Sequence, residues 1–420
     1  MFDPITAAAP APASLAPEHR RRLLTSLLLT NLVLFATYAA VVVLLLPQQV
    51  SELDPAHKAS NLAVVTTTSA FATLFAQPLV GAFSDRTRSR AGRRSPWLLF
   101  GAISGGLCTV ALQFAPTLAW ITLCWVAAQV LLNAVQAPLS AIISDRIDEA
   151  GRATASAFVG VGTAVGAALG MVMAGRMLSR LGTAYTILGL AMAVVGVGFV
   201  LLNRDRPSDE IAREPFHIGR FLRSFWVDPR KHPDFGWAFA GRFVMILGYQ
   251  AMQTYLLYIL LDYLHLTPAR AGAFAGTLSI VVTVAMVVST LIFGRLSDRL
   301  GRRKIFVFIA SVVMAIAVAI PLVFATPAGM LAYSVVVGVG YGAYLAVDTA
   351  LMVDVLPSRG DAGKDLGLLN VATNIPQALT PIVAAALLST FGGNYAALFG
   401  YSAIAVLASS FLVLPIRSVR

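Results

Sequence analysis

The stretch "GAFSDRTRSRAGRR" at residues 81–94 returns, shortened, as "GRLSDRLGRRK" at residues 294–304. Gly81 aligns with Gly294 and Asp85 with Asp298, 213 residues apart in a chain of 420, so the sequence divides into two halves of one plan. A second pair agrees. "GRATASAFVGVGTAVGAALG" from Gly151 and "GKDLGLLNVATNIPQALTP" from Gly363 lie 212 residues apart, and each opens a helical pattern after a polar loop.

Working outward, each copy of the charged motif is flanked by long apolar runs. The chain is 58% hydrophobic and 12% charged with a mean hydropathy of +0.78, whereas soluble domains carry about 25% charged residues. About 20 apolar residues cross a bilayer core. Runs of that kind fall at 23–46, 60–84, 97–115, 117–143, 153–175, 184–202, 236–261, 270–294, 304–325, 328–353, 366–390 and 394–415. They are too long and too uniformly apolar for the alternating strands of a barrel. The expected fold is therefore an all-α membrane protein with 12 transmembrane helices in two pseudo-symmetric six-helix bundles, 23–202 and 236–415. A polar linker at 203–235 joins them, and tails at 1–22 and 416–420 flank them.

Net charge +11 invites a nucleic-acid reading, which the positions of the charges oppose. With the N-terminus inside, 26 of the 31 Lys and Arg fall on one side, which places both termini in the cytoplasm by the positive-inside rule. The Ala- and Pro-rich residues 1–19 hold no apolar core of a signal peptide, so the tail is expected to be disordered and the first helix retained. Cys108 and Cys124 fall inside adjacent helices and read as packed thiols, not a disulfide or metal site. In the linker, "PFHIGRFLRSFW" sets Phe216, Phe221, Leu222, Phe225 and Trp226 among arginines. It fits a short helix on the inner membrane surface as well as it fits a solvated basic connector.

Two six-helix halves, a cytoplasmic linker and a Gly-x-x-x-Asp-Arg-x-x-x-Arg-x-Gly-Arg-Arg loop after helix 2, with a degenerate copy after helix 8, resemble the major facilitator superfamily over nearly the whole chain. More narrowly, "DRTRSRAGRRSP", "YLAVDTALMVDVLP" (344–357) and "DLGLLNVATNIPQ" (365–377) are similar to the glycoside-pentoside-hexuronide symporters and the sucrose-type carriers.

Asp85 stands at the cytoplasmic end of helix 2, where a carboxylate can accept N–H groups from the start of a neighbouring helix. The resemblance implies that this loop acts as a latch, tying the halves together on the cytoplasmic side when the protein faces outward. Its members here are Gly81, Asp85, Arg86, Arg90, Gly92, Arg93 and Arg94, with Asp298, Arg299, Arg302 and Arg303 in the copy. Asp85 would address the start of helix 11 near Gly367, and Asp298 the start of helix 5 near Gly151. Enforcement of topology explains the arginines alone, but it has little use for an acid repeated at both positions.

Inside the spans, Asp348 is the one acid far from a helix end, Asp262 and Asp354 lie near ends, and Arg242 is the one deep base. Helix 7 enters from the cytoplasm and helix 10 returns to it, so Arg242 and Asp348 both lie roughly 10 Å from the inner face. They can be partners, for proton coupling or as a permanent structural pair. Residues seven apart share a helix face. Asn31 and Tyr38 then line helix 1; Gln129, Asn133 and Gln136 line helix 4; Arg242, Tyr249 and Gln253 line helix 7; Tyr341, Tyr344 and Asp348 line helix 10. In the family that the chain resembles, these four helices border the central cavity. Asn370, Asn374 and Gln377 form a further amide stripe on helix 11, bordering the cavity or holding helices together. Gly162, Gly166 and Gly170 on helix 5 permit close helix contact, expected between the halves.

No Walker A loop, zinc-binding His-Glu-x-x-His helix or nucleophile elbow is present, and none of the five histidines lies deep in a span. The sequence is thus not read as an enzyme, and no cofactor or metal is expected. The leading expectation is a monomeric secondary transporter working by alternating access, taking up a sugar or glycoside with protons. Helices 2 and 4 lack the acids that the sodium-coupled members of that branch carry, which leaves proton coupling or uncoupled facilitation. Two rivals remain: a proton-driven exporter of small apolar compounds, and a receptor or scaffold that binds without transporting. Arg outnumbers Lys 27 to 4, which suggests a GC-rich bacterial genome and hence a cytoplasmic (inner) membrane.

Overall fold

The computed structural model describes residues 16–205, 208, 232–355 and 362–416, side chains excepted at 149, 298, 349, 353, 354 and 362–370. The proposed surface helix at 216–226 lies outside the described residues.

Twelve helices follow one another without a strand among the described residues. They are α1 (Pro17–Leu53), α2 (Lys58–Arg86), α3 (Ser95–Ala111), α4 (Leu118–Arg146), α5 (Glu149–Arg176) and α6 (Leu181–Leu202). After them come α7 (Pro233–Thr254, resuming as Leu256–Tyr263), α8 (Pro268–Leu300), α9 (Arg303–Val323), α10 (Pro327–Asp354), α11 (Ala362–Thr390) and α12 (Tyr395–Val413). Eleven are long and apolar enough to cross a membrane, and α7 makes a twelfth if its two pieces, bent by 51° about Tyr255, are one span. The starts follow local chemistry. Proline occupies the first turn of α1, α3, α7 and α8, where its missing N–H costs nothing. Asn394 accepts from the Ala396 N–H at 2.9 Å to start α12. Gly301, at φ 62°, ends α8 in the left-handed conformation that an L side chain resists.

Short π-helical turns interrupt α1 at Val41–Leu45 and α7 at Ile259–Tyr263. Each comes late in the first helix of its half of the chain.

Packing runs mainly within each half. In the first, α1 lies on α5 and α6, α2 and α3 on α4, and α3 on α6; in the second, α8 and α9 lie on α10, and α7 and α9 on α12. Between halves the main contacts are α2 with α11 and α5 with α8. The glycine stripe of α5 belongs to the first set, not the second: a Cβ on Gly162, Gly166 or Gly170 would meet the carbonyl of Leu28, Leu32 or Ala36 on α1. The close contact between halves is made one turn further on, where Gly175 lies against Gly272 of α8 and Gly276 against Val172. The stripe is thus internal because α1 is the neighbour whose backbone runs along Gly162, Gly166 and Gly170.

Candidate functional site

Arg242 on α7 and Asp348 on α10 meet, with Arg242 Nη1 3.3 Å from Asp348 Oδ2 and their side chains only 14% and 5% exposed. The contact is electrostatic, since neither Nη1 nor Nε of Arg242 makes a hydrogen bond among the described residues. A buried cation with idle donors is expensive, and its nearby carboxylate is what makes it tolerable. One turn before Asp348, Tyr344 is buried and within hydrogen-bonding reach of that carboxylate.

Above the pair, Tyr341 of α10 stacks on Tyr249 of α7 with ring centroids 4.6 Å apart at 16°. Gln253 Nε2 donates to the Tyr249 hydroxyl at 2.9 Å. Tyr249 and Gln253 face a cavity of about 210 Å³ bordered by α1, α5, α7, α8 and α10, with Ser279, Thr283, Tyr333 and Ser334 as its other polar groups. The stacked tyrosines thus stand between the cavity and the ion pair.

The structure brings part of the stripes to this cavity. Of the residues singled out on helices 1, 4, 7 and 10, only Tyr249 and Gln253 line this cavity, and α5 and α8 border it in place of α4. Asn31 and Asn133 donate to the carbonyls of Leu27 and Gln129 on their own helices, both at 2.8 Å. Amides in an apolar setting take the nearest carbonyl, one turn back. Gln129, Gln136 and Asn374 are half-buried, and the Asn370 side chain lies outside the described residues. Tyr38 packs edge-on against Phe35, its hydroxyl buried with no hydrogen-bond partner among the described residues. Serine and threonine of α8 are too common in membrane helices to signal a cavity from sequence.

The charged loop forms a network within the first half. Arg94, 6% exposed, bonds to Asp85 at 2.5 Å and to Asp145 at 3.0 Å, and Arg93 adds a 2.7 Å bond to Asp145. Asp205 accepts from the Arg94 backbone N–H at 3.0 Å and from Arg146 at 2.8 Å. Gly92, at φ 87°, leaves no room for a Cβ against the Asp205 side chain. Among the described residues Asp85 forms its ion pair with Arg94, which is fixed by Ser84 and Asp145; the side chains at the start of α11, where the sequence expects Asp85 to reach, lie outside them. Gly81 faces open space, and Arg86 is engaged but Arg90 forms no ion pair among the described residues. In the copy, the Asp298 side chain lies outside the described residues, Arg299 and Arg302 are exposed, and Arg303 Nη1 donates to the Ala350 carbonyl at 3.4 Å.

Sequence reasoning missed the groups that join the halves at the opposite end. Lys58 Nζ lies 2.7 Å from Asp262 Oδ1, and the Tyr395 hydroxyl donates to Asp262 Oδ2 at 2.7 Å. Tyr255 donates to the carbonyls of Ala59 and Pro381, and Tyr258 to that of Pro47. Lys58 also stands 5.1 Å over the Tyr258 ring. The signal was present, since Lys58 is a rare base on that side and Asp262 one of the few acids near a helix end, but 204 residues separate them.

Known proteins place this geometry. The fold is shared with a bacterial homologue of the human lysosomal transporter Spinster in an inward-facing, unoccupied conformation, at TM-score 0.71, 16% identity and 96% of both chains. It is also shared with the nucleoside transporter NupG, at TM-score 0.77, 14% identity, 94% of this chain and 99% of that one. In sequence the chain is 25% identical to the MFS transporter asaE of Aspergillus flavus over 64% of its length, and 25% identical to the Fujikurins efflux protein of Gibberella fujikuroi over 63%. It spans somewhat more than half the length of these curated relatives, 58% and 55%. The model of the Major Facilitator Superfamily matches residues 27–287 and 257–420, between them almost the entire sequence. With that match, and an all-helical fold whose 11 or 12 helices are long and apolar enough to cross a membrane, the chain belongs to the Major Facilitator Superfamily.

Proposed function

We propose that this transporter moves a small hydroxyl-bearing molecule, a sugar or glycoside, together with protons, by alternating access of two six-helix bundles with both termini in the cytoplasm. The observation that carries the reading is the buried Arg242–Asp348 contact beside a tyrosine-lined cavity. An intramembrane carboxylate is costly unless it is used, and one whose cationic neighbour holds it without hydrogen bonds can exchange that neighbour for a proton. Tyrosine rings and hydroxyls suit the apolar faces and hydroxyls of a sugar, and about 210 Å³ is small beside the roughly 300–1,000 Å³ of drug-sized pockets. The sequence likeness to glycoside and sucrose carriers supports the same substrate class. Asn31, Gln129, Asn133, Gln136, Asn370 and Asn374 are assigned to the substrate path in a conformation other than this one.

In this reading the Lys58–Asp262 end is extracellular and closed, and the cytoplasmic latch of Asp85 is out of engagement, held by Arg94. Asp262→Ala removes the charge-assisted Lys58–Asp262 bond between the halves at the closed end, worth about 1.5–3 kcal/mol. The population closed there is expected to fall at least tenfold, measured as the distance distribution between spin labels on α2 and α7. An unchanged distribution would remove Asp262 from the gate.

The test of function is proton entry into proteoliposomes, followed with a trapped pH dye while a panel of mono- and disaccharides is added. A sugar that drives protons inward supports the reading; no proton movement together with no exchange of labelled sugar overturns it. A second reading, proton-driven export of apolar compounds, is favoured by the relative whose name is an efflux protein. It predicts proton exit against an apolar panel in the same vesicles.

A further inference from the structure

At the charged-loop end of the molecule, a second cavity of about 400 Å³ lies between the start of α1 and the ends of α4 and α6. Its walls carry His19, Arg22, Arg146 and Arg204, and no acid is among its lining residues. Arg146 is committed, 2.8 Å from Asp205 and donating to the Asn203 carbonyl at 3.1 Å. Arg22 and Arg204 are exposed and form no ion pair among the described residues. On one rim the last residues of α6, Leu201 and Leu202, are 71% and 53% exposed. They end a helix that is apolar enough to span a bilayer, so this rim opens toward hydrocarbon while the arginines face the headgroup layer.

From this juxtaposition we infer that the cavity is a binding site for the headgroup of an anionic phospholipid. Two uncommitted guanidiniums match the oxygens of a phosphodiester, which forked donors bind well. The imidazole of His19 adds a donor for a headgroup hydroxyl, and Leu201 and Leu202 receive the first methylenes of the acyl chains. A soluble anion would gain nothing from the leucines, and a zwitterionic lipid would bring its own cation against the arginines. Basic pockets between the ends of membrane helices are places where anionic headgroups collect, and each cation near the surface contributes appreciably. The bound lipid would bridge α1 to α6. The inference rests on the membrane fold and not on the sugar reading, so the two can fail separately.

Native mass spectrometry of the purified full chain in detergent tests it, with phosphatidylglycerol and phosphatidylcholine offered at equal concentration. Wild type is expected to retain phosphatidylglycerol in at least tenfold preference. Arg22→Gln with Arg204→Gln should lower that affinity about thirtyfold, and Arg204→Gln alone about fivefold. Both arginines are exposed, so the substitutions leave the helix packing intact. Glycerol 1-phosphate, which has the phosphate without the chains, is expected not to compete at millimolar concentration. Equal retention of the two lipids, unchanged phosphatidylglycerol affinity in the double variant, or displacement by glycerol 1-phosphate would each overturn the proposal, the last assigning the cavity to a soluble phosphate.

Discussion

Asp348→Asn is expected to reduce substrate-driven proton entry at least a hundredfold while leaving the helix bundle assembled. The side chain keeps its shape and its place, 3% exposed beside Tyr344, but loses the group that can gain and release a proton. Removing one member of a buried pair leaves the other uncompensated, at a cost of about 3–5 kcal/mol. A drop in thermal stability will therefore accompany the loss of coupling, and the two effects need separating. Arg242→Gln combined with Asp348→Asn removes the orphaned charge as well. Stability should return toward wild type in that double variant, and proton movement should not. If instead the double variant moves protons with substrate, the pair is structural and the proton site lies elsewhere.

Gly166→Leu is expected to abolish accumulation of folded protein. Even the first carbon of a new side chain at 166 falls on the backbone of Leu32, so the clash is with main chain and no rotamer relieves it. Overpacking by a single methylene typically costs about 1–3 kcal/mol, and here four carbons must enter a contact between backbones. Either α1 and α5 separate along their length or the half does not assemble. Gly160 is the control, since a Cβ there meets nothing within 4 Å, and Gly160→Leu should give normal yield. Size-exclusion profiles of the two variants, followed by a thermal melt, decide the matter. Normal behaviour of Gly166→Leu would mean that the α1–α5 contact is looser than the structure has it.

The spans were legible because bilayer thickness dictates the length of an apolar run, and runs at 60–84 and 328–353 correspond to helices Lys58–Arg86 and Pro327–Asp354. The helices overshoot the apolar runs because capping turns extend into the interface, where water and headgroups satisfy the free backbone groups. Counting residues placed Arg242 and Asp348 at one depth; it could not show that their contact lacks hydrogen-bond geometry. The 51° break at Tyr255 and the π-helical turn of α7 carry no proline or glycine signature of their own, whereas Pro47 stands two residues after the π-helical turn of α1. At the break the Tyr255 hydroxyl donates to the Ala59 carbonyl of the other half, a contact that no local pattern records. For the same reason the partner of the α5 glycines, and that of Lys58, could not be read one helix at a time. Periodicity reports which face Asn31 and Asn133 occupy and not that their amides bond to the carbonyls of Leu27 and Gln129 in this conformation.

In the proton-coupled cycle proposed above, the Arg242–Asp348 pair would also set the electrical character of transport. Empty, the pair is neutral and the membrane potential exerts no net force on it. Once Asp348 takes a proton, the guanidinium is left as an uncancelled unit charge inside the bilayer, on which 100 mV acts with about 2.3 kcal/mol. On that proposal voltage would drive the loaded carrier and leave the return of the empty one untouched. Accumulation of a neutral substrate would then draw on the electrical as well as the chemical part of the proton gradient.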